Sequence, residues 1–258
     1  MGSTELIRID LDEGILTLRF DRPDKRNALN LAMYAALAAG IRRADTDDAV
    51  RVIMITGSDS CFTSGNDLSD FLSAPPTGMD SPVMQFLLAL SQARKPIVAA
   101  VNGAAVGVGV TMLLHCELVY AGCGAMFQMP FVDLGLCPEA GSTLLLPRLM
   151  GHQRAAELLL LGESFGAEKA RELGIVTAVY PDADLLAAAR AKALRLSAQP
   201  AAAVRLAKSL LKREYAARLQ ETIAEEGAHF IARLESPEAG EALQAFMQRR
   251  KPDFSRFA

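Results

Sequence analysis

The chain is poor in the residues that build metal centres and covalent frameworks. Only three histidines occur among 258 residues, His115, His152 and His229, so a histidine-based metal site has little material. The four cysteines, at 61, 116, 123 and 137, include no CxxC pair. Their number and spacing fit neither a disulfide framework nor a zinc ribbon, and imply buried free thiols in a reducing, cytoplasmic setting. No excess of basic charge is present: Lys and Arg total 27, Asp and Glu 30, a net charge of −3. That sum argues against a nucleic-acid binder, although it does not reveal a local basic cluster. The first residues, MGSTELIRID, contain no apolar h-region, and Leu6 stands where a myristoylation motif wants Ser or Thr. No fixed-period repeat, low-complexity tract or long linker interrupts the sequence. One apolar run, Ile97 to Leu114, is long enough to suggest a membrane span. It carries Asn102 and glycines at 103, 107 and 109, so a buried strand followed by a turn is the better reading.

What is present is an ordinary globular composition, 51% hydrophobic and 22% charged. A chain of this length buries about 70–75% of its unfolded surface and needs no disulfide or metal to hold a core. Residues 5–20 alternate apolar and polar around Asp12-Glu13-Gly14 and predict a β-hairpin. A polar loop, DRPDKRNALN at 21–30, leads to helical spacing over 31–44 with Asn30 as N-cap. VIMIT (52–56) and IVAAV (97–101) are short continuous apolar runs, typical of buried parallel strands. Residues 62–71 read as a loop entering a short helix, 74–81 as a Pro/Gly-rich loop, and 82–93 as an amphipathic helix. Further strands are expected at 118–121, 126–128 and 175–180, and helices at 107–115, 143–150, 152–161 and 167–173. From Asp184 the composition turns to Ala, Leu, Arg, Lys and Glu with helical periodicity almost to the end. The division is an α/β core over 1–195 and a helical region over 196–258 that wants a surface to pack on.

Three segments suggest chemistry. Gly103-Ala-Ala-Val-Gly107-Val-Gly109 follows a strand and opens a helix. It fails the dinucleotide fingerprint, because Met112 stands at the third glycine. Free N–H groups at such a helix start suit an oxyanion as well as a phosphate, and tight helix–strand packing explains the glycines equally. Phe62-Thr-Ser-Gly65-Asn66-Asp67-Leu68 places a glycine where an N–H can point into a cleft, or where an ordinary turn needs one. Glu139, in LGLCPEAGST, is a carboxylate among apolar residues. Desolvation there raises a carboxylate pKa toward general-base work; an acid favoured by a helix N-terminus is the plainer reading.

The three segments together, in this order, resemble the crotonase superfamily of enoyl-CoA hydratases and isomerases. The likeness extends through KPIVAAVNGAAVGVGV (95–110), AMFQMPFVDLGLCPEAGST (125–143), GESFGAEKARELGIVTAV (162–179) and the C-terminal QAFMQRRKPDF. It implies a spiral of ββα units with a C-terminal helical trimerisation region, hence a homotrimer or a dimer of trimers. It also implies an oxyanion hole for a thioester oxygen, made by the backbone N–H groups of Asn66 and Val108. The two glutamates that typify hydratases are absent; Thr111 and Phe131 stand at their positions. SGNDL (64–68) with CPE (137–139) is similar to the peroxisomal-type Δ3,Δ2-enoyl-CoA isomerases, in which one glutamate, here Glu139, is the sole catalytic acid/base.

By the same resemblance Lys25, Arg26, Ser64 and Leu68 lie along the CoA moiety, and Phe246 and Arg249 reach a neighbouring subunit's CoA. A solvated loop is the alternative for Lys25 and Arg26. No cofactor or metal is implied, since coenzyme A arrives with the acyl-CoA substrate, and neither nucleic acid nor membrane is an expected partner. The competing functions are another crotonase reaction, namely hydration, dienoyl-CoA isomerisation or thioester hydrolysis, and non-catalytic acyl-CoA binding.

Overall fold

The computed structural model describes residues 6–58, 61–248 and 250–257. Met1–Glu5, Arg249 and Ala258 lie outside the described residues, so the N-terminal reading and the expected CoA contact of Arg249 are not addressed by it.

The expected hairpin is present: β1 (Ile7–Asp12) pairs antiparallel with β2 (Ile15–Phe20). It is followed by α1 (Leu31–Thr46), where the Asn30 side chain accepts the Met33 N–H at 2.9 Å as the N-cap. The chain then alternates between two sheets. β3 (Val52–Thr56) leads to β4 (Cys61–Thr63), and these are followed by α2 (Leu68–Ser73) and α3 (Pro82–Gln92). β5 (Ile97–Val101) leads to β6 (Ala104–Val106) and α4 (Val108–Thr111). β7 (Leu118–Gly122) leads to β8 (Met126–Gln128) and, after a loop, to α5 (Ser142–Met150) and α6 (His152–Leu161). The core closes with β9 (Phe165–Gly166), α7 (Ala167–Glu172) and β10 (Ala178–Tyr180), and the remaining helices are α8 (Leu185–Ser197), α9 (Ala201–Lys212), α10 (Ala216–Leu234) and α11 (Pro237–Met247).

In the pairs β3/β4, β5/β6 and β7/β8 the first strand enters a six-stranded sheet of order β1-β2-β3-β5-β7-β10 and the second a four-stranded sheet of order β4-β6-β8-β9, while both hairpin strands and β10 lie in the larger sheet and β9 in the smaller. From β3 onward the large sheet is parallel. Parallel strands covered on both faces must be apolar throughout, which is why VIMIT and IVAAV lack alternation and are wholly buried. One face of the sheet packs on α1 and α3; the other is covered by Leu185, Ala189 and Ala193 of α8. The ββα spiral expected from the family likeness is therefore the observed fold, although no sequence repeat marks its units.

Several local expectations need correction. Residues 61–63 and 104–106 are strands, each too short to show a period. The helix expected over 107–115 is α-helical only to Thr111 and continues as a 3-10 turn over Met112–His115. The strand expected from Ile175 begins at Ala178. The amides of Ile175 and Val176 instead bond Ala170 O (3.0 and 3.2 Å), closing the end of α7 around Gly174, whose φ is +81°. Among the described residues no helix is long and apolar enough to cross a membrane.

The tail is fastened to the core by buried charge. Lys208 and Lys212 of α9 pair with Glu117 at 3.0 and 2.9 Å, and Lys212 Nζ also donates to His115 O at 2.9 Å.

Candidate active site

β4 and β6 are neighbouring parallel strands, with Cys61 beside Ala104 and Thr63 beside Ala105. Their C-terminal ends therefore open at one place, the usual location of a ligand in parallel α/β architecture. Asn66 leaves the end of β4 and Val108 the end of β6.

Backbone pairing decides where the Asn66 amide points. Leu29 bridges this segment in parallel fashion: its N–H goes to Gly65 O (2.8 Å) and its carbonyl takes the Asp67 N–H (2.9 Å). In that pattern the amide of the residue between faces away from Leu29. Gly65 makes this turn at φ +88°, and a Cβ there would lie 2.8 Å from Val106 O. Only glycine allows both the conformation and the approach of the two strand ends. Val108 is the first residue of α4. Gly107, at φ +56°, accepts the Val110 and Thr111 amides (2.9 and 3.1 Å), so the Val108 N–H stands outside the helical ladder at its positive end. The packing reading of these glycines also holds, since a Cβ on Gly109 would meet Thr63 Cγ2 at 2.6 Å.

The loop over 21–30 is pinned against the Asn66 segment. Arg22 pairs with Asp67 at 2.7 Å and donates to Ala28 O at 2.9 Å. Asn27 is fully buried; its amide donates to Cys61 O (2.7 Å) and Phe62 O (3.2 Å), and its Oδ1 accepts from Arg22 N and Ser58 Oγ. This buried amide has partners on all sides, so it fixes both loops at once.

Glu139 is 6% exposed in the loop before α5. Thr111 Oγ1 donates to Glu139 Oε1. Burial pushes the Glu139 carboxyl up to about 8; the Thr111 hydrogen bond opposes this shift and the charge of Glu226 adds to it. The group holds its proton near neutrality and gives it up just above, as an acid/base must. Glu139 and Asn66 line one narrow cavity, with Tyr34 between them and Val83, Met84, Leu87, Phe230 and Ile231 supplying apolar walls. The Tyr34 hydroxyl donates to Asn66 Oδ1, and burial holds its pKa well above the usual phenol range.

The candidate CoA residues divide. Lys25 and Arg26 are exposed on the loop, and Ser64 N donates to Arg26 O at 3.0 Å, so Lys25, Arg26 and Ser64 form one edge. Leu68 is the first residue of α2. Phe246, at the end of α11, is 63% exposed and does not line the Glu139 cavity. Among the described residues no cluster of three or more His, Cys, Asp or Glu has the arrangement of a metal site.

Sequence reasoning missed the residues that support these groups. Tyr34 carried only the signal of a helix core position. Thr111 registered as the absence of a glutamate, not as the hydrogen-bond donor to Glu139. His115 and Glu226 were invisible, because their partners are far along the chain.

A sequence model described as enoyl-CoA hydratase/isomerase matches residues 10–256. The chain is 34% identical over 259 residues to 1,2-epoxyphenylacetyl-CoA isomerase of Escherichia coli, covering 97% of this chain and 98% of that protein. It is also 34% identical to enoyl-CoA delta isomerase 2 of Rattus norvegicus over 95% of this chain, which spans 64% of that longer protein. The solved structure of Pseudomonas aeruginosa OdaA superposes with a TM-score of 0.93 at 53% identity, covering 95% of this chain and all of that one. With matching sequence and matching fold, the chain belongs to the enoyl-CoA hydratase/isomerase family, the crotonase superfamily.

Proposed function

We propose that the protein is a Δ3,Δ2-enoyl-CoA isomerase that uses Glu139 as its one acid/base. The observation that carries this reading is a buried carboxyl with a raised proton affinity that lines the same cavity as Asn66; by the family resemblance, Thr111 and Phe131 stand where hydratases carry their glutamates.

The ionised Glu139 takes a proton from C2 of a 3-enoyl-CoA. The C2–H electron pair becomes the C1–C2 double bond of a dienolate, the carbonyl π pair moves to the thioester oxygen as negative charge, and the C3–C4 double bond stays in place. The N–H groups of Asn66 and Val108 bind that oxygen; one such donor is worth about 10²–10³ in rate. The dienolate then takes the proton back from Glu139 at C4, giving the trans-2-enoyl-CoA and restoring the carboxylate. Hydration requires both a base for water and an acid for C2, and the Thr111 and Phe131 positions supply neither.

Coenzyme A belongs to the substrate. Lys25 and Arg26 supply charge for its phosphates, with Ser64 and Leu68 along its path and Phe246 and Arg249 serving a neighbouring subunit. The exposed Leu206, Leu210 and Leu211 of α9 support assembly into a trimer or a dimer of trimers, which light scattering on the purified protein tests. For the reaction, the test is incubation with 3-hexenoyl-CoA and, separately, 2-hexenoyl-CoA. Conversion of the first without hydration of the second is expected; hydration of the second contradicts the reading.

A further inference from the structure

Glu139 sits at the start of a turn with an unusual backbone. Ala140 and Gly141 follow it at φ +63° and +72°, and left-handed geometry at the alanine persists only where its surroundings enforce it. Two buried side chains from separate elements hold this turn. His115, whose pKa burial lowers to about 3, is neutral, and its Nε2–H donates to Ala140 O at 2.8 Å. Glu226 reaches in from α10. It accepts the Gly141 N–H at 2.6 Å, the Thr143 N–H at 3.0 Å and the Thr143 hydroxyl at 2.5 Å. The backbone donors are at the N-terminus of α5, where no intrahelical partner exists and a negative charge is favoured. Glu226 is 6% exposed, and it is 85 residues from Gly141 in the chain.

We propose that Glu226 is a positioning residue for Glu139: by holding the Gly141 and Thr143 amides it fixes the turn that aims the catalytic carboxyl, so the helical tail completes the active site. The proposal deepens the assignment of Glu139 as acid/base and rests on it. The second carboxylate also places a like charge behind the first, which disfavours ionisation of Glu139. The other titratable groups around the pair are Tyr34 and Cys137 on the Glu139 side, and Arg218, Glu225 and His229 in the groove outside Glu226.

The test is Glu226→Gln, which preserves shape and one acceptor oxygen but removes the charge and the second acceptor. Two quantities are read: kcat and KM for 3-hexenoyl-CoA, and the titration midpoint of Glu139 followed by carboxyl 13C NMR. A kcat about tenfold lower or more is expected with KM within about twofold, since small misplacement of an acid/base is costly. The Glu139 midpoint is expected to fall by about half a unit or more as the like charge disappears. A folded variant with unchanged kcat and unchanged midpoint overturns the proposal. If Glu226→Gln does not fold, Thr143→Val stands in with the same readouts. A lower kcat or a displaced midpoint then supports the proposal, and the absence of both overturns it. Glu139→Gln is assayed in parallel. If it retains isomerase activity, the assignment of Glu139 fails, whereas an inactive Glu139→Gln beside an unaffected Glu226→Gln removes only the role of Glu226.

Discussion

Glu139 and Glu241 are the same side chain at nearly the same depth, 6% and 3% exposed, and they hold their protons oppositely. Glu241 accepts from Arg250 at 2.5 and 3.1 Å, from Arg256, and from the Asp253 amide at 2.9 Å. The Arg250 hydrogen bonds, followed by that amide, hold its carboxyl down at about 2. Glu139 has a neutral donor, Thr111, in place of arginines, so burial takes it up to about 8. Depth alone assigns neither group its role. A buried carboxylate with two arginines is a fastener, here tying residues 250–257 to α11. One left with a neutral hydroxyl and facing a cavity fits the proton-carrying role proposed for Glu139.

The largest separation between the two is expected in activity. Glu139→Gln lowers isomerase kcat by about 10²–10⁴ with little change in acyl-CoA affinity, the usual contribution of one positioned acid/base. Glu241→Gln leaves kcat in place. Steady-state kinetics on both variants checks this, and equal losses break the comparison.

Stability against pH separates them next, with opposite signs. Between its ordinary value of 4.5 and about 8, the folded protein keeps a proton on Glu139 that the unfolded chain has released. Stability contributed through this group therefore falls as pH rises through that window. Glu139→Gln escapes the loss: its melting temperature matches the unaltered protein near pH 4 and exceeds it at pH 8, by ~2–5 kcal/mol in unfolding free energy. For Glu241 the folded value is depressed, so its contribution is present above 4.5 and lost as pH falls toward about 2. Glu241→Gln is accordingly less stable at pH 7, and the difference closes on acidification. Thermal melts across pH measure both.

A smaller effect sharpens the Glu139 side. The acid limb of kcat/KM in the free enzyme is expected near pH 8, with activity rising as Glu139 ionises. Thr111→Val removes the one hydrogen bond that favours the ionised form, so the limb moves to higher pH by about one unit or less. A limb that stays in place means that the Thr111 contact does not tune Glu139.

What could be read in advance follows the range of the interactions. α1 with its Asn30 cap, the VIMIT and IVAAV strands and the hairpin rest on contacts within a few residues or on uniform burial, and their segments show it. β4, β6 and β9 have three residues or fewer and exist because a neighbouring strand pairs with them; β8 is as short but legible between its flanking turns. The site divides in the same way. Gly65, Gly107 and Glu139 are conspicuous because each residue type is restrictive where it stands. The groups that set Glu139's behaviour are not: Thr111 lies 28 residues away, and Glu226 meets the turn after it across 85. Helical spacing puts Glu226, unlike the exposed Glu225, on the apolar face of α10 with Leu219, Ile223 and Phe230, but names no partner for it. The packing of α10 against α5 supplies that partner.

The central claim, that one buried carboxyl carries the proton from C2 to C4, is tested most directly with 3-hexenoyl-CoA deuterated at C2. The account predicts trans-2-hexenoyl-CoA with deuterium at C4, transferred within a site too enclosed for rapid exchange, and loss of this transfer in Glu139→Gln. Product carrying only solvent hydrogen at C4, formed equally well by Glu139→Gln, would contradict it.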